Sequence, residues 1–63
     1  MTKIEAIEYA IYEHETEGTD RMFLMKKEGE YNTATADSVK YAQRCGWTVV
    51  GNTVEEAKAL NLI

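Results

Sequence analysis

The chain has 63 residues, 44% of them apolar and 29% charged, with a net charge of −4. That is enough for one small domain, which buries only about 60% of the surface its unfolded form exposes. A single cysteine excludes an internal disulfide framework, and an acidic domain repels phosphate, which argues against direct nucleic-acid binding.

The first element expected is a helix from about Lys3 to Glu15. Thr2 and Glu5 have the spacing of a capping box, in which the hydroxyl accepts from an early backbone N–H and the carboxylate reaches back. Ile4, Ile7 and Ile11 recur at helical period with Ala6 and Ala10 beside them, and Tyr9 and Tyr12 flank the stripe. The pattern fades at Thr16, and Gly18 is the candidate left-handed cap.

Arg21 to Lys27 reads as a strand. Four successive apolar residues, Met22 to Met25, suit a strand covered on both faces, with a helix as the rival reading because Met, Leu and Lys favour helices. Glu28-Gly29 supplies a turn, and Glu30 to Thr33 returns as a second short strand. A second helix follows over Ala36 to Cys45, capped by Thr35 or Asp37, with Val39 and Ala42 inward and Lys40 and Arg44 outward. Gly46 stops it. Trp47 to Val50 forms a third strand, and Gly51-Asn52 turns the chain. Thr53-Val-Glu-Glu56 reads as a capping box opening a third helix over Val54 to Leu60, with Val54, Ala57 and Leu60 inward. Asn61 can take the left-handed cap, with Leu62 folded back onto the last turn.

The order α-β-β-α-β-α predicts a small single domain over residues 1–63, of the α+β class. A crossover through the second helix sets the third strand parallel to the second, with the apolar first strand between them. The expected product is a three-stranded mixed sheet packed by helices.

No chemistry-bearing motif stands out. His14 is the only histidine; its sequence neighbours Glu13 and Glu15 point to other faces of a helix, so it reads as a surface residue near a helix end. Zinc needs several His or Cys ligands and the chain has one of each, so no metal or other cofactor is expected. Cys45 falls in the last turn of a helix, where the dipole disfavours a thiolate, and reads as a small core residue. Trp47 reads as a core plug or hydrophobic lid, with an interface anchor as the sharper alternative. The four glycines sit at joints and form no phosphate loop. Lys26, Lys27, Lys40 and Arg44, with Tyr31 and Tyr41, make at most a weak basic patch. These readings predict a protein that is not an enzyme.

Charge patterning is the strongest functional signal. Residues 1–20 hold one base against six acids, a net −5, whereas residues 21–44 hold five bases against three acids, a net +2. Glu5 and Glu8 are i, i+3 neighbours, and Glu8 and Glu15 lie two turns apart on a similar face. Such an array can be a solvated face, or it can imitate DNA phosphates and occupy the basic cleft of another protein. The partner-binding residues this suggests are Glu5, Glu8, Glu15 and Tyr12 on the first helix, with Tyr41 and Trp47 as an alternative apolar surface. The partner expected is another protein, with a basic host protein as the candidate, or a second copy in a homo-oligomer. The longest run of large apolar residues is far too short for a membrane span. Met1-Thr-Lys-Ile-Glu-Ala lacks the apolar run of a signal peptide, which with the lone cysteine predicts a cytoplasmic setting.

The segment Ala36-Asp-Ser-Val-Lys-Tyr-Ala-Gln-Arg-Cys-Gly-Trp-Thr-Val-Val50 resembles a pattern in small bacteriophage-encoded proteins, where a helix of the form Asp-x-Val … Gly-Trp leads into a β-run. The resemblance covers this segment alone. It implies a phage accessory protein acting in the bacterial host cytoplasm or in the particle, and it carries over no catalytic residues. The functional expectation is therefore a small acidic protein-binding module, with a self-associating structural or virion-assembly component as the alternative.

Overall fold

The computed structural model describes residues 1–63. Its elements follow the expected order: α1 (Lys3–Glu17), β1 (Phe23–Lys27), β2 (Glu30–Ala34), α2 (Val39–Arg44), β3 (Thr48–Asn52) and α3 (Thr53–Ala59). No helix is long and apolar enough to cross a membrane.

Local chemistry sets most of the joints. At the start of α1, Glu5 N–H donates to Thr2 Oγ1 (3.2 Å) and Thr2 N–H donates to Glu5 Oε1 (2.8 Å), the reciprocal box read from the sequence. The helix runs to Glu17, two residues past the expected end, and stops at Gly18, whose φ of 68° lets its N–H reach the His14 carbonyl. Glu28 and Gly29 both take positive φ, which turns β1 into β2 with the twist a two-residue hairpin needs. The second helix is shorter than expected, because residues 36–38 form a turn. Thr35, not Asp37, closes that turn: its Oγ1 accepts from Ser38 N–H at 3.2 Å while Ser38 Oγ accepts from Thr35 N–H at 3.0 Å. Gly46 (φ 96°) and Asn61 (φ 57°) end α2 and α3 in the same way. Trp47 N–H bonds back to the Ala42 carbonyl and Leu62 N–H to the Ala57 carbonyl, the signature of a Schellman motif.

The start of α3 differs from expectation. β3 continues through Gly51-Asn52 instead of turning there, and Asn52 is the cap, its Oδ1 accepting from the Val54 and Glu55 N–H groups. Thr53 is buried. Its hydroxyl donates to the Arg21 carbonyl (2.8 Å) and its N–H to the Met22 carbonyl (2.9 Å), which turns it towards the start of β1 and leaves the capping to Asn52. Glu56, freed from a capping box, pairs with Lys3 at 2.5 Å and ties α3 to the start of α1.

The sheet order is β2-β1-β3, and both ladders are antiparallel. The sheet is therefore antiparallel throughout and not mixed. β2 and β3 do run in the same direction, but β1 lies between them and they share no hydrogen bond. A bulge between Leu24 and Met25 leaves Val50 as the extra residue of β3.

Successive strand residues point to opposite faces. Leu24 and Met25 are adjacent in β1 and each is only 1% exposed, so both faces of the sheet are covered, as the apolar run predicts. On the Leu24 side, Ala6, Ile7 and Ala57 complete a buried cluster from α1 and α3, with Ile11, Tyr31 and Leu62 packed against it. The Met25 side belongs to the crossover. Lys27, two residues from Met25, donates to the Cys45 carbonyl (2.6 Å) and lies against Gly46.

The core is small, with nine of 63 residues buried. Several expected core residues are outside it. Ile4 is half exposed, because the buried stripe of α1 is the narrower set Ala6, Ile7 and Ala10. Val54 and Leu60 face outward and leave Thr53 and Ala57 as the inner face of α3. Cys45 is exposed at the end of α2, a helix that buries no residue completely.

The capping box makes one acid-sensitive joint. The Thr2 N–H holds the Glu5 carboxyl below the usual carboxylate range. A lowered folded-state value stabilises above the unfolded value, near 4.3, and the contribution is lost as pH falls through the folded one. Glu5→Gln should therefore lower stability at neutral pH and flatten the acid limb of a pH series of thermal melts. An unchanged acid limb would show that the box contributes nothing.

Candidate functional site

α1 presents two contrasting faces. Its inner face carries Ala6, Ile7 and Ala10 against the sheet and α3. At about 100° per residue, Glu5, Glu8, Tyr12 and Glu15 fall within roughly 80° of arc on the opposite side. All four are exposed, Tyr12 with 61% of its surface. Tyr12 lies four residues after Glu8 and three before Glu15, so its ring sits between two carboxylates on the helix surface. Glu5 is committed to the capping box, which leaves Glu8 and Glu15 as the free charges of this face.

Tyr9 is at the edge of the same helix. Its hydroxyl donates to Glu13 Oε1 at 3.0 Å, and that bond raises its pKa. The Arg21 guanidinium lies 5.4 Å from its ring centroid. Arg21 also donates through Nε to Thr33 Oγ1 at 2.8 Å and through its guanidinium to the Thr33 carbonyl, which fixes the loop after α1 to β2.

Beside this face runs a groove of about 580 Å³ between the second half of α1, α3 and the C-terminal tail. Ile11, Met22, Val54, Leu62 and Ile63 make it apolar, while His14, Glu15, Asp20 and Arg21 give it a polar margin. Its size falls within the range of sites that bind ligands or side chains. Glu15 belongs to both the groove wall and the acidic face, so the two surfaces are continuous.

His14 Nδ1 and Asp20 Oδ1 are 2.8 Å apart at the margin, both side chains about two-thirds exposed. Sequence reasoning missed this partner because the αL turn at Gly18 folds Asp20 back beside a residue six positions earlier. The pair orients the imidazole, and Asp20 is the one side chain hydrogen-bonded to it. No three His, Cys, Asp or Glu side chains converge as metal ligands.

Tyr41 and Trp47 lie elsewhere. Tyr41 is 73% exposed on α2, and Trp47 is half-buried just after the Gly46 cap, outside the buried cluster. Trp47 is therefore no core plug. Both belong to the crossover on the Met25 side of the sheet, away from α1, so the acidic residues and these two aromatics form separate surfaces. The groove itself went unforeseen, although the apolar surplus of Leu60-Asn-Leu-Ile63 was its visible sign in the sequence.

Compared with known proteins, the chain matches no family model, no curated protein and no solved structure.

Proposed function

We propose that this chain is a small acidic binding module that acts on another protein without catalysis of its own. The observation that supports this reading most directly is the continuity of the acidic face of α1 with the apolar groove at Glu15. Protein interfaces combine an apolar centre with a polar rim. Here the groove supplies the apolar centre and Glu8 and Glu15 supply a negative rim, with Tyr12 between them as an aromatic surface for a cation. The partner that fits is a protein with a basic surface and a protruding apolar side chain. The resemblance of residues 36–50 to bacteriophage-encoded proteins favours a nucleic-acid-binding host protein in the bacterial cytoplasm, whose phosphate-binding cleft the carboxylates would occupy.

The test is capture of partners from bacterial lysate on the immobilised protein, followed by titration of any recovered protein. Wild type should retain a basic protein at low salt and release most of it as the screening length shortens from about 30 Å at 0.01 M to about 8 Å at 0.15 M. Glu8→Lys with Glu15→Lys should weaken binding at least tenfold, and Val54→Asn, which adds no charge, should do so without changing the salt dependence. Binding that survives all three substitutions would reject this surface.

A further inference from the structure

The two edges of the sheet are not treated alike. On β2 the outward N–H of Tyr31 is taken by the Met1 carbonyl (3.0 Å), and Glu30 is held by the Met1 ammonium at 2.5 Å. That edge is covered and charged, which is how natural sheets avoid pairing with a further strand. β3 has no such cover. Its five residues, Thr48-Val-Val-Gly-Asn52, contain no charge and no proline, and Val49 and Val50 are 36% and 49% exposed. The bulge at Val50 is its one irregularity.

The charges flanking β3 identify what fits it. Lys26 stands opposite Thr48 in the ladder, at the strand's first end. It shares a hollow with Lys27, Glu28, Thr48 and Val50, and it faces the Tyr31 ring at 5.3 Å while forming no ion pair with Glu28 or any other carboxylate. At the other end Glu55 enters the first turn of α3, also without an ion-pair partner. Lys26 and α3 are on the same face of the sheet, the Leu24 face.

We infer that β3 is a self-pairing edge, and that two copies of this chain join β3 to β3 antiparallel about a twofold axis near Val50. Antiparallel pairing brings the Thr48 end of one copy to the Asn52 end of the other. Lys26 of each copy then lies two strand spacings, about 10 Å, from the partner's β3, on the face that carries the partner's first α3 turn. An unpaired base meets an unpaired acid twice, once at each end, and Val49 and Val50 of both copies lose exposure to water. A parallel pairing would instead leave both lysines at one end of the seam and both Glu55 residues at the other. The result is a six-stranded antiparallel sheet, an isologous assembly that closes at two copies because each β2 edge is blocked. It also doubles the acidic α1 faces, although the pairing stands or falls independently of what α1 binds.

Sedimentation of the full chain over a concentration series tests this. Self-pairing predicts a species of twice 7.2 kDa, with the Val49 amide, which points away from β1, gaining hydrogen-exchange protection as concentration rises. Val50→Lys, at an exposed position, should raise the dimer dissociation constant at least tenfold while leaving the circular dichroism spectrum unchanged. Glu55→Lys should weaken the dimer, and adding Lys26→Glu should restore it. A monomer at all concentrations overturns the proposal. So does a dimer that Val50→Lys leaves intact, or a charge swap that fails to rescue Glu55→Lys.

Discussion

Ile7→Ala should leave little folded protein at 37 °C. Ile7 is fully buried and joins α1 to Leu24 of the sheet and Ala57 of α3, so one side chain holds three elements. Truncating such a residue costs about 2–5 kcal/mol, made up of lost transfer energy and the cavity left behind. A 63-residue domain without disulfide or metal has roughly 3–5 kcal/mol to lose. The two magnitudes are comparable, so the effect is decided by how far the site can collapse. The neighbours Ala6 and Ala57 are already the smallest side chains that pack and cannot grow into the void. Ile4→Ala is the matched control: the same chemistry at a half-exposed position on the same helix should shift the melting temperature by a few degrees at most. Thermal melts by circular dichroism separate the cases. Equal losses for the two variants would mean that the stripe of α1 lies across Ile4 and not across Ala6 and Ala10.

That contrast shows where the sequence was legible. Its joints could be read because capping is local chemistry. Thr2 with Glu5, Gly18, Gly46 and Asn61 each act within one turn, and the structure uses all of them. Element order and the two-sided burial of β1 followed from the spacing of those joints and from the Met22–Met25 run. Thr53 was misread because two neighbouring residues can each cap a helix. The choice fell to Asn52 once Arg21 and Met22, thirty residues earlier, claimed the Thr53 hydroxyl and N–H. Inward and outward positions were misread for the same reason. Ile4, Val54 and Leu60 are as apolar as Ile7 and Leu24, yet only those that meet a second element are buried, and that depends on tertiary geometry. The groove is the consequence: apolar residues at helical spacing that found no partner within the chain. On α1, by contrast, the shared solvent side of Glu5, Glu8, Tyr12 and Glu15 follows from helical period alone, which is why it was visible before the fold was known.

Met25→Ala should cost about as much as a core truncation on the helix face, roughly 2–5 kcal/mol, although no helix on its side is well buried. Met25 is 1% exposed, yet α2 buries none of its residues and turns only Val39 and Ala42 partly inward. The segment that crosses this side is a short helix with its flanking turns, held at one end by Gly46 and by the Lys27 bond to the Cys45 carbonyl. Such a segment can respond in two ways. If it folds together with the rest of the domain, Met25→Ala lowers the single melting transition by an amount similar to Ile7→Ala. If it opens by itself, the same substitution frees α2 first, and the amides of residues 39–47 exchange faster while those of α1 keep their protection. The first outcome is the one expected, because Met25 lies in the central strand, in register with Asn32 on one side and Val49 on the other, and its side chain cannot be exposed without exposing the middle of the sheet. Residue-resolved hydrogen exchange on the variant decides between them. A selective loss of protection over α2 would make the crossover a separately mobile layer, carrying Tyr41 and Trp47 on a surface that can rearrange around a partner.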